Sequence, residues 1–226
     1  MKITKDQIIA TALDLLNEVG LDALTTRLLD DRLGVQQPAL YWHFKSRQDL
    51  KEAMNIEILA RGHHYVLPQP GEIWQDFVVK NARSFHTALL AYRDGARVHA
   101  GTRASAQQLD QFETVLTFLT HQGMSLATAV HLGMSASILA VGSILDTRAE
   151  QEGRAELATT AELAGTAELT KTAEAAFAVK FAPYPLIRAG VAHLKPGSNT
   201  ALFESGLRLL IAGAEAEIAA NAAPKI

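Results

Sequence analysis

Apolar residues recur at the spacing of one helix face along most of this 226-residue sequence. In the first segment Ile8, Ala12, Leu15, Leu16 and Val19 follow that period, which places them on one side of a helix. β-Branched and aromatic residues in period two are scarce, so strands are only weakly indicated. The sequence therefore predicts an all-α fold. Helices are expected at about 5–19, 25–33, 36–43, 47–61, 72–91, 94–99, 107–121, 126–150, 185–194 and 200–220.

Local signals support these boundaries. Thr4 and Gln7 have the spacing of a capping box at the start of the first helix, and Ser46 begins a similar signal before the fourth. Gly34 follows the second helix, where a turn with positive φ is expected. Prolines and a glycine at 68–71 interrupt the helical pattern and indicate the main domain boundary.

Composition favours a folded intracellular protein. Hydrophobic residues make up 48% of the chain and charged residues 20%, which excludes general disorder. There is no cysteine, so disulfides and thiolate metal sites are excluded. No apolar run approaches the ~18 residues that a bilayer span needs, and the charged, amphipathic start does not match a signal peptide. We expect a cytoplasmic protein.

A six-residue repeat occupies residues 154–177 and reads RAELAT, TAELAG, TAELTK, TAEAAF. Alanine and glutamate favour helix. However, six residues advance a helix by about 600°, so the leucines of successive repeats point in different directions. Because no single apolar stripe forms, the repeat is expected to be a mobile helical or disordered linker.

Residues 25–47, TTRLLDDRLGVQQPALYWHFKSR, have the order of helix, glycine turn, helix and basic pair. This order is typical of a helix-turn-helix, whose second helix enters the DNA major groove. By pattern alone a plain helical hairpin is equally consistent. Residues 1–50 contain six basic and seven acidic side chains, and the chain has a net charge of −3, so non-specific DNA affinity is expected to be modest.

Several side chains of this segment suit DNA contacts. Gln37 has the groups to bond a base edge, and Pro38 and Ala39 suit thymine methyls. Phosphate or base contacts are expected from Arg27, Tyr41, His43, Lys45 and Arg47.

Two blocks of the sequence resemble the TetR family. The first is LLNEVGLDALTTR with LGVQQPALYWHFKSR. The second lies outside the helix-turn-helix pattern and includes HHYVLP, WQDF, KNARSF and AYRDGARVHAGTR. Weaker similarity covers helix 126–150, YPLIRAG and the last helix, whereas the repeat has no counterpart.

The resemblance implies a bacterial, all-helical homodimer. Its expected parts are a three-helix helix-turn-helix domain at 1–46, a connecting helix at 47–66, and a ligand-binding and dimerisation domain at 67–226. The implied function is a repressor that binds a palindromic operator and is released by a ligand. The residues that match DNA-contacting positions are Thr26, Arg27, Gln37, Pro38, Ala39, Tyr41, Trp42, His43, Lys45 and Arg47.

The DNA-binding part departs from the family pattern at two positions. Ala39 stands where a threonine is found, which removes a hydroxyl from the recognition helix. Asp30 stands where a small alanine packs between two helices, and a carboxylate buried there is costly unless paired. A change in operator preference is the expected consequence.

The second block is most similar to family members that bind tetracycline as a magnesium chelate. The matching ligand positions are His63, Asn81, Phe85, His99, Thr102, Arg103, Val115, Ser137 and Ile138, with Ile187, Val191 and Leu194 lent by the partner subunit. The resemblance implies that His99 binds Mg²⁺ directly and that Thr102 and Asp146 hold its water shell. Asp146 is one methylene shorter than the glutamate of the family.

Four pocket positions depart from the family pattern and together make the pocket more apolar. Val66, Val115, Ile138 and Ala104 replace a serine, a glutamine, a histidine and a proline. Each lost hydrogen-bond partner weakens binding by ~1 to 3 kcal/mol where a buried group is left unsatisfied. The inducer is therefore expected to be tetracycline-like, with a more apolar planar ligand as the alternative.

Other function classes have less support. No Gly-rich phosphate loop, HExxH or G-x-S-x-G motif occurs, and Asp30–Asp31 is interpreted as a pair of solvated helix residues, so an enzyme is not expected. The acidic N-terminal balance leaves open a ligand-binding dimer without DNA binding. The last helix and the stretch 134–145 are apolar on more than one face, which favours a four-helix bundle between two subunits over an ordinary core pair.

Overall fold

The computed structural model describes residues 3–35, 38–164, 182–191 and 199–222, which contain ten helices and no strand. We number the helices in chain order. They are α1 Lys5–Ala23, α2 Thr26–Leu33, α3 Pro38–His43, α4 Arg47–Gly62, α5 Trp74–Leu90, α6 Gly95–Ala100, α7 Ala106–His121, α8 Leu126–Ala164, α9 Pro185–Val191 and α10 Asn199–Ala222. The predicted all-α class is confirmed.

Helices α1 to α3 form a small head. Thr4 and Gln7 make the predicted capping box, and Thr25 caps α2 by accepting from the Leu28 N–H. The chain turns at Gly20 with φ 81° and at Gly34 with φ 65°, conformations that strongly favour glycine. These caps and turns put the start of α3 close to the positions that the sequence predicts.

The connecting helix α4 belongs to the same apolar cluster as the head. Leu50, Met54 and Ile58 pack with side chains of α1 on one side and with Leu89 and Val98 of the larger core on the other. Burial of this continuous cluster stabilises the head and the core together. A movement of α4 therefore has to involve both.

A second apolar cluster forms the centre of the core. It joins α5, α7, α8 and α10 through side chains that include Phe77, Leu119, Leu132 and Phe203. Gly206 of α10 lies against Leu139 of α8, where a Cβ would come within 2.9 Å of the leucine methyls. A larger residue at position 206 would therefore require the Leu139 side chain to shift.

Helix α8 corrects two expectations. It does not end near residue 150 but continues to Ala164, through the first part of the repeat; residues 165–177 of the repeat lie outside the described part of the chain. Its portion Leu126–Gly153 is also long and apolar enough to cross a membrane by length and composition alone, because it contains an 18-residue window with a mean hydropathy of 1.6. By this measure the expectation that no such stretch exists is wrong. One third of the window is buried in the single chain, where α8 packs against α5, α6, α7 and α10.

One face of α8 and α10 carries exposed apolar side chains. On α8 these are Val130, Met134, Ile138 and Leu145, and on α10 they are Leu202 and Leu209. Their spacing of four or seven residues places each set on one side of its helix. An apolar surface of this kind is typical of a subunit interface.

Asp30 of α2 is buried, so the expectation that it is solvated is wrong. It is 5% exposed, and neither carboxylate oxygen has a hydrogen-bond partner among the described residues. Burial, and secondarily the charge of Asp31, raise the pKa of the Asp30 carboxyl. The charged form is therefore unfavourable in the folded head.

We expect Asp30→Ala to raise the free energy of unfolding by about 1–3 kcal/mol at pH 7, since it removes a buried, unsatisfied carboxylate. The folded-state pKa lies above the unfolded value, so the penalty fades as the pH falls from 7 through the folded-state pKa. Urea denaturation at several pH values measures this gain. Asp31→Ala, at the exposed neighbouring position, is the control, and an Asp30→Ala protein less stable than the parent at pH 7 would contradict the prediction.

Candidate functional site

The head presents two aromatic side chains of α3 to solvent. Trp42 is 87% exposed and Tyr41 is also exposed, whereas Leu40, just before them, and Phe44, two residues after them, are buried in the cluster that includes α1 and α4. The short helix therefore buries one side and leaves the other free. Gln37 and the side chains of Pro38 and Ala39 lie outside what the structure describes.

Three predicted phosphate contacts differ in their surroundings. Arg27 and Lys45 are exposed. Arg47 is exposed too, but its guanidinium donates to the Leu21 carbonyl at 3.0 Å. In this conformation Arg47 ties the start of α4 to the end of α1. Thr26 and His43 are half-buried.

In the core, three of the predicted ligand residues contact one another through their aromatic rings. Phe85 of α5 makes edge contacts with His63, at the end of α4, and with His99 of α6; the ring centroids are 5.7 Å and 4.9 Å apart. We call His63, Phe85 and His99 the histidine cluster. Three of the positions that the resemblance assigns to one pocket are thus adjacent here.

Both histidines of the cluster are kept neutral by burial. Burial lowers the pKa of His63 to about 4, with smaller contributions from His64 and His99. Burial also lowers the pKa of His99. A neutral imidazole has a free lone pair, which is the form that binds a metal ion.

Hydrogen bonds hold the polar groups around the cluster. His63 Nδ1 lies 3.1 Å from the Ser84 hydroxyl. The Asn81 amide donates to the Tyr65 carbonyl at 2.8 Å and to the Val66 carbonyl at 3.3 Å. Asn81 therefore fixes the loop after α4 with its own donor group.

His99 is held at two points. Its Nδ1 lies 3.1 Å from Asn55 Oδ1 on α4, and the Thr102 hydroxyl donates to its carbonyl at 2.8 Å. The sequence prediction missed Asn55. The signal for it was a polar side chain on the same helix face as Met54 and Ile58, where an apolar residue is expected.

Other predicted ligand and metal residues do not join the cluster within one chain. Ile138, Asp146 and Arg103 are exposed, and Ile187 is exposed on α9. Val115, Ser137 and Thr102 are half-buried, while the Val191 side chain and Leu194 are not described. The parts of the chain that are described hold no group of three or more His, Cys, Asp or Glu side chains able to bind a metal ion.

The donor groups of the histidine cluster fit a metal ion that is bound together with a chelating ligand. Mg²⁺ prefers oxygen atoms and keeps several waters, so one imidazole cannot hold it unaided. A chelating ligand and water would have to supply the remaining positions, with His99 as the direct protein donor.

Helix α6 connects the cluster to the head. Arg97 pairs with Asp22 of α1 at 2.7 Å, and the Asp94 carboxylate accepts from the Leu21 N–H at 2.7 Å. Gln48 of α4 donates to the Gly101 carbonyl at 2.7 Å. His99 thus belongs to a short helix that contacts α1 and α4 through Arg97 and through the residues at its two ends, Asp94 and Gly101.

A helical head with exposed aromatic side chains on its third helix, joined to a larger helical core, has the architecture of a helix-turn-helix regulator. Comparison with protein families agrees: residues 8–54 match the model of bacterial regulatory proteins of the tetR family, and residues 67–218 match the tetracyclin repressor-like C-terminal domain. The chain belongs to the TetR family of transcriptional regulators.

Its relatives include tetracycline repressors. The chain is 41% identical to the class A repressor from transposon 1721 of Escherichia coli, over 94% of this chain and 90% of the relative. It is 40% identical to the E. coli class C repressor over 95% and 91%. Among solved structures, TetR from Acinetobacter baumannii AYE has a TM-score of 0.73 at 38% identity, covering 96% of this chain and 99% of that one.

A second solved structure carries ligands. TetR of class A in complex with 5a,6-anhydrotetracycline and magnesium has a TM-score of 0.66 at 35% identity, covering 94% of this chain and 98% of that one. The protein is therefore a DNA-binding regulator of the TetR family that is homologous to tetracycline repressors.

Proposed function

We propose that this protein is a repressor that binds a palindromic operator as a homodimer in the bacterial cytoplasm and leaves it when a magnesium–tetracycline-type inducer binds. The observation that carries the proposal is the histidine cluster. His99, the residue proposed to bind the metal ion, lies on α6 together with the head contact Arg97, and the head contact Asp94 directly precedes that helix. A displacement of α6 on ligand binding at His99 would therefore also move its contacts with the head.

In this proposal the head, residues 1–46, reads one operator half-site. The exposed Tyr41 and Trp42 lie where α3 faces the major groove, and Arg27 and Lys45 supply phosphate contacts. The proposed contact set also includes Thr26, Gln37, Pro38, Ala39, His43 and Arg47.

The inducer would occupy the region 67–226 next to the histidine cluster. His99 would hold Mg²⁺, and Thr102 and Asp146 would orient its water shell. The ion would supply the positive charge that attracts the oxygen atoms of the drug to this site. The proposed ligand contacts are His63, Asn81, Phe85, Arg103, Val115, Ser137 and Ile138, with Ile187, Val191 and Leu194 from the second subunit. The exposure of Ile138 and Ile187 in one chain supports a pocket completed by that subunit.

Induction would follow from competing contacts of α6. Ligand binding at His99 and operator binding by the heads favour different positions of α4, which α6 contacts through Gln48 and Gly101. Linkage then requires that inducer and operator weaken each other's binding equally.

A different, more apolar planar ligand is the second candidate. It is favoured by Val66, Val115 and Ile138, since these side chains offer no hydrogen bonds to the polar edge of a tetracycline. A solved relative that is 26% identical, the TetR family protein ActR from Streptomyces coelicolor, is in complex with actinorhodin, with a TM-score of 0.71 over 96% of this chain and 99% of that one.

A calorimetric titration of tetracycline with Mg²⁺, repeated with EDTA, tests the inducer. A mobility-shift assay with the operator of the class A relative tests the head. We expect tight binding that EDTA abolishes, and a DNA complex that magnesium–tetracycline dissociates. No drug binding in either buffer would favour the apolar ligand, and no shift with this operator or with selected palindromic DNA would favour a dimer without DNA binding.

A further inference from the structure

Asn55 is a buried polar residue on the connecting helix. It is 2% exposed and lies between Met54 and Ile58 in the sequence of a helix whose inner face is otherwise apolar. A buried amide without a hydrogen-bond partner destabilises a protein. Its partner here is the ring of His99, 44 residues further along the chain, through an Oδ1–Nδ1 contact of 3.1 Å.

We propose that Asn55 is a positioning residue that keeps the proton of His99 on Nδ1 and so leaves Nε2 as the metal-binding nitrogen. An amide oxygen can only accept a hydrogen bond, so the Nδ1 atom facing it has to donate. In a neutral imidazole the other nitrogen then carries the lone pair. This inference rests on the proposed function for its ligand, a magnesium chelate, but not for the tautomer itself.

Other contacts limit the orientation of the ring. Phe85 packs at 4.9 Å with an interplanar angle of 79°, and Thr102 holds the backbone carbonyl of His99. With Nδ1 directed at α4, rotation of the ring about its bonds is restricted. Partners of this kind commonly change metal affinity by 10- to 100-fold when they are removed.

His63 provides an internal comparison. Its Nδ1 faces the hydroxyl of Ser84, which also accepts from the Tyr65 N–H. A hydroxyl can donate or accept, so this contact does not select one tautomer. Of the two histidines in the cluster, the contacts described here determine the protonated nitrogen only for His99.

The first test is the tautomer of His99 in the ligand-free protein, measured by long-range ¹H–¹⁵N correlation NMR. The His99 signals are assigned by their loss in His99→Gln. We expect the Nδ1–H form in the parent and in Asn55→Asp, which keeps an acceptor oxygen. Asn55→Leu is expected to increase the Nε2–H form while His63 is unchanged. An Nε2–H tautomer in the parent, or no response to Asn55→Leu, would overturn the proposal.

The second test is the affinity for tetracycline with Mg²⁺. We expect Asn55→Leu to bind 10- to 100-fold more weakly and Asn55→Asp to remain within about threefold of the parent. Equal affinity of parent and Asn55→Leu would overturn the positioning role. If Asn55→Leu does not fold, Asn55→Ala and the parent NMR spectrum still decide.

The two tests separate this inference from the proposed function. An Nδ1–H tautomer that depends on Asn55, together with no tetracycline binding by the parent, would reject the inducer and leave the positioning of His99 standing. An Nε2–H tautomer of His99 together with tight tetracycline binding would reject the positioning role of Asn55 and leave the proposed inducer standing.

Discussion

Replacing His99 with alanine is expected to weaken the binding of magnesium–tetracycline by at least ~100-fold, which corresponds to about 2.7 kcal/mol. The imidazole is the one direct protein donor that we assign to the ion, and its neutral form is favoured by burial. Operator affinity is expected to stay within about threefold of the parent. The substitution leaves in place both contacts with the head, which are made by Arg97 of α6 and by Asp94 directly before that helix. Titration calorimetry and a mobility-shift assay measure the two quantities.

The matched control is His64→Ala. His64 is adjacent to His63 but is exposed and takes no part in the aromatic contacts of the histidine cluster. Its removal is expected to leave both affinities unchanged. If His99→Ala retained binding that EDTA still abolishes, the ion would be held by other groups and the assignment of His99 would be wrong.

The second large effect is expected at the exposed apolar face of α8 and α10. Leu209 is 72% exposed and Ile138 67% in the single chain, and Gly213, one turn after Leu209, has open space beside it in the described part of the molecule. A two-fold symmetric dimer uses the same patch on both subunits. Leu209→Glu would therefore place two carboxylates in one interface.

We expect Leu209→Glu to raise the dimer dissociation constant by at least ~100-fold, since burying an unpaired carboxylate costs several kcal/mol. Operator affinity is expected to fall comparably, because a single head contacts only one half-site and the gain from two linked heads is lost. Sedimentation equilibrium gives the first quantity and a mobility-shift titration the second.

Ile73→Glu is the control for this change. Ile73 is also an exposed large apolar residue, but it is the N-cap of α5 and belongs to neither α8 nor α10. It is expected to leave a dimer of normal operator affinity. A Leu209→Glu protein that remained fully dimeric would show that the two-fold contact lies elsewhere.

The sequence by itself determined most of the helix positions and the helix-turn-helix pattern. A cap such as Ser46 acts on an N–H three residues away, and Gly34 is favoured by the φ of its own turn. Such signals depend on neighbours along the chain, so they are legible without a fold. The resemblance then assigned the pocket positions, two of which, His63 and His99, the structure brings together around Phe85.

Tertiary structure alone decided the contacts that give those positions their chemistry. Asn55 meets His99 across 44 residues, and Arg97 meets Asp22 across 75, because α6 packs between the head and α4. Packing against four other helices also covers part of α8, whose length and composition alone would allow it to cross a membrane. Period and propensity describe one helix at a time, whereas burial, ion pairing and tautomer selection depend on which helices touch.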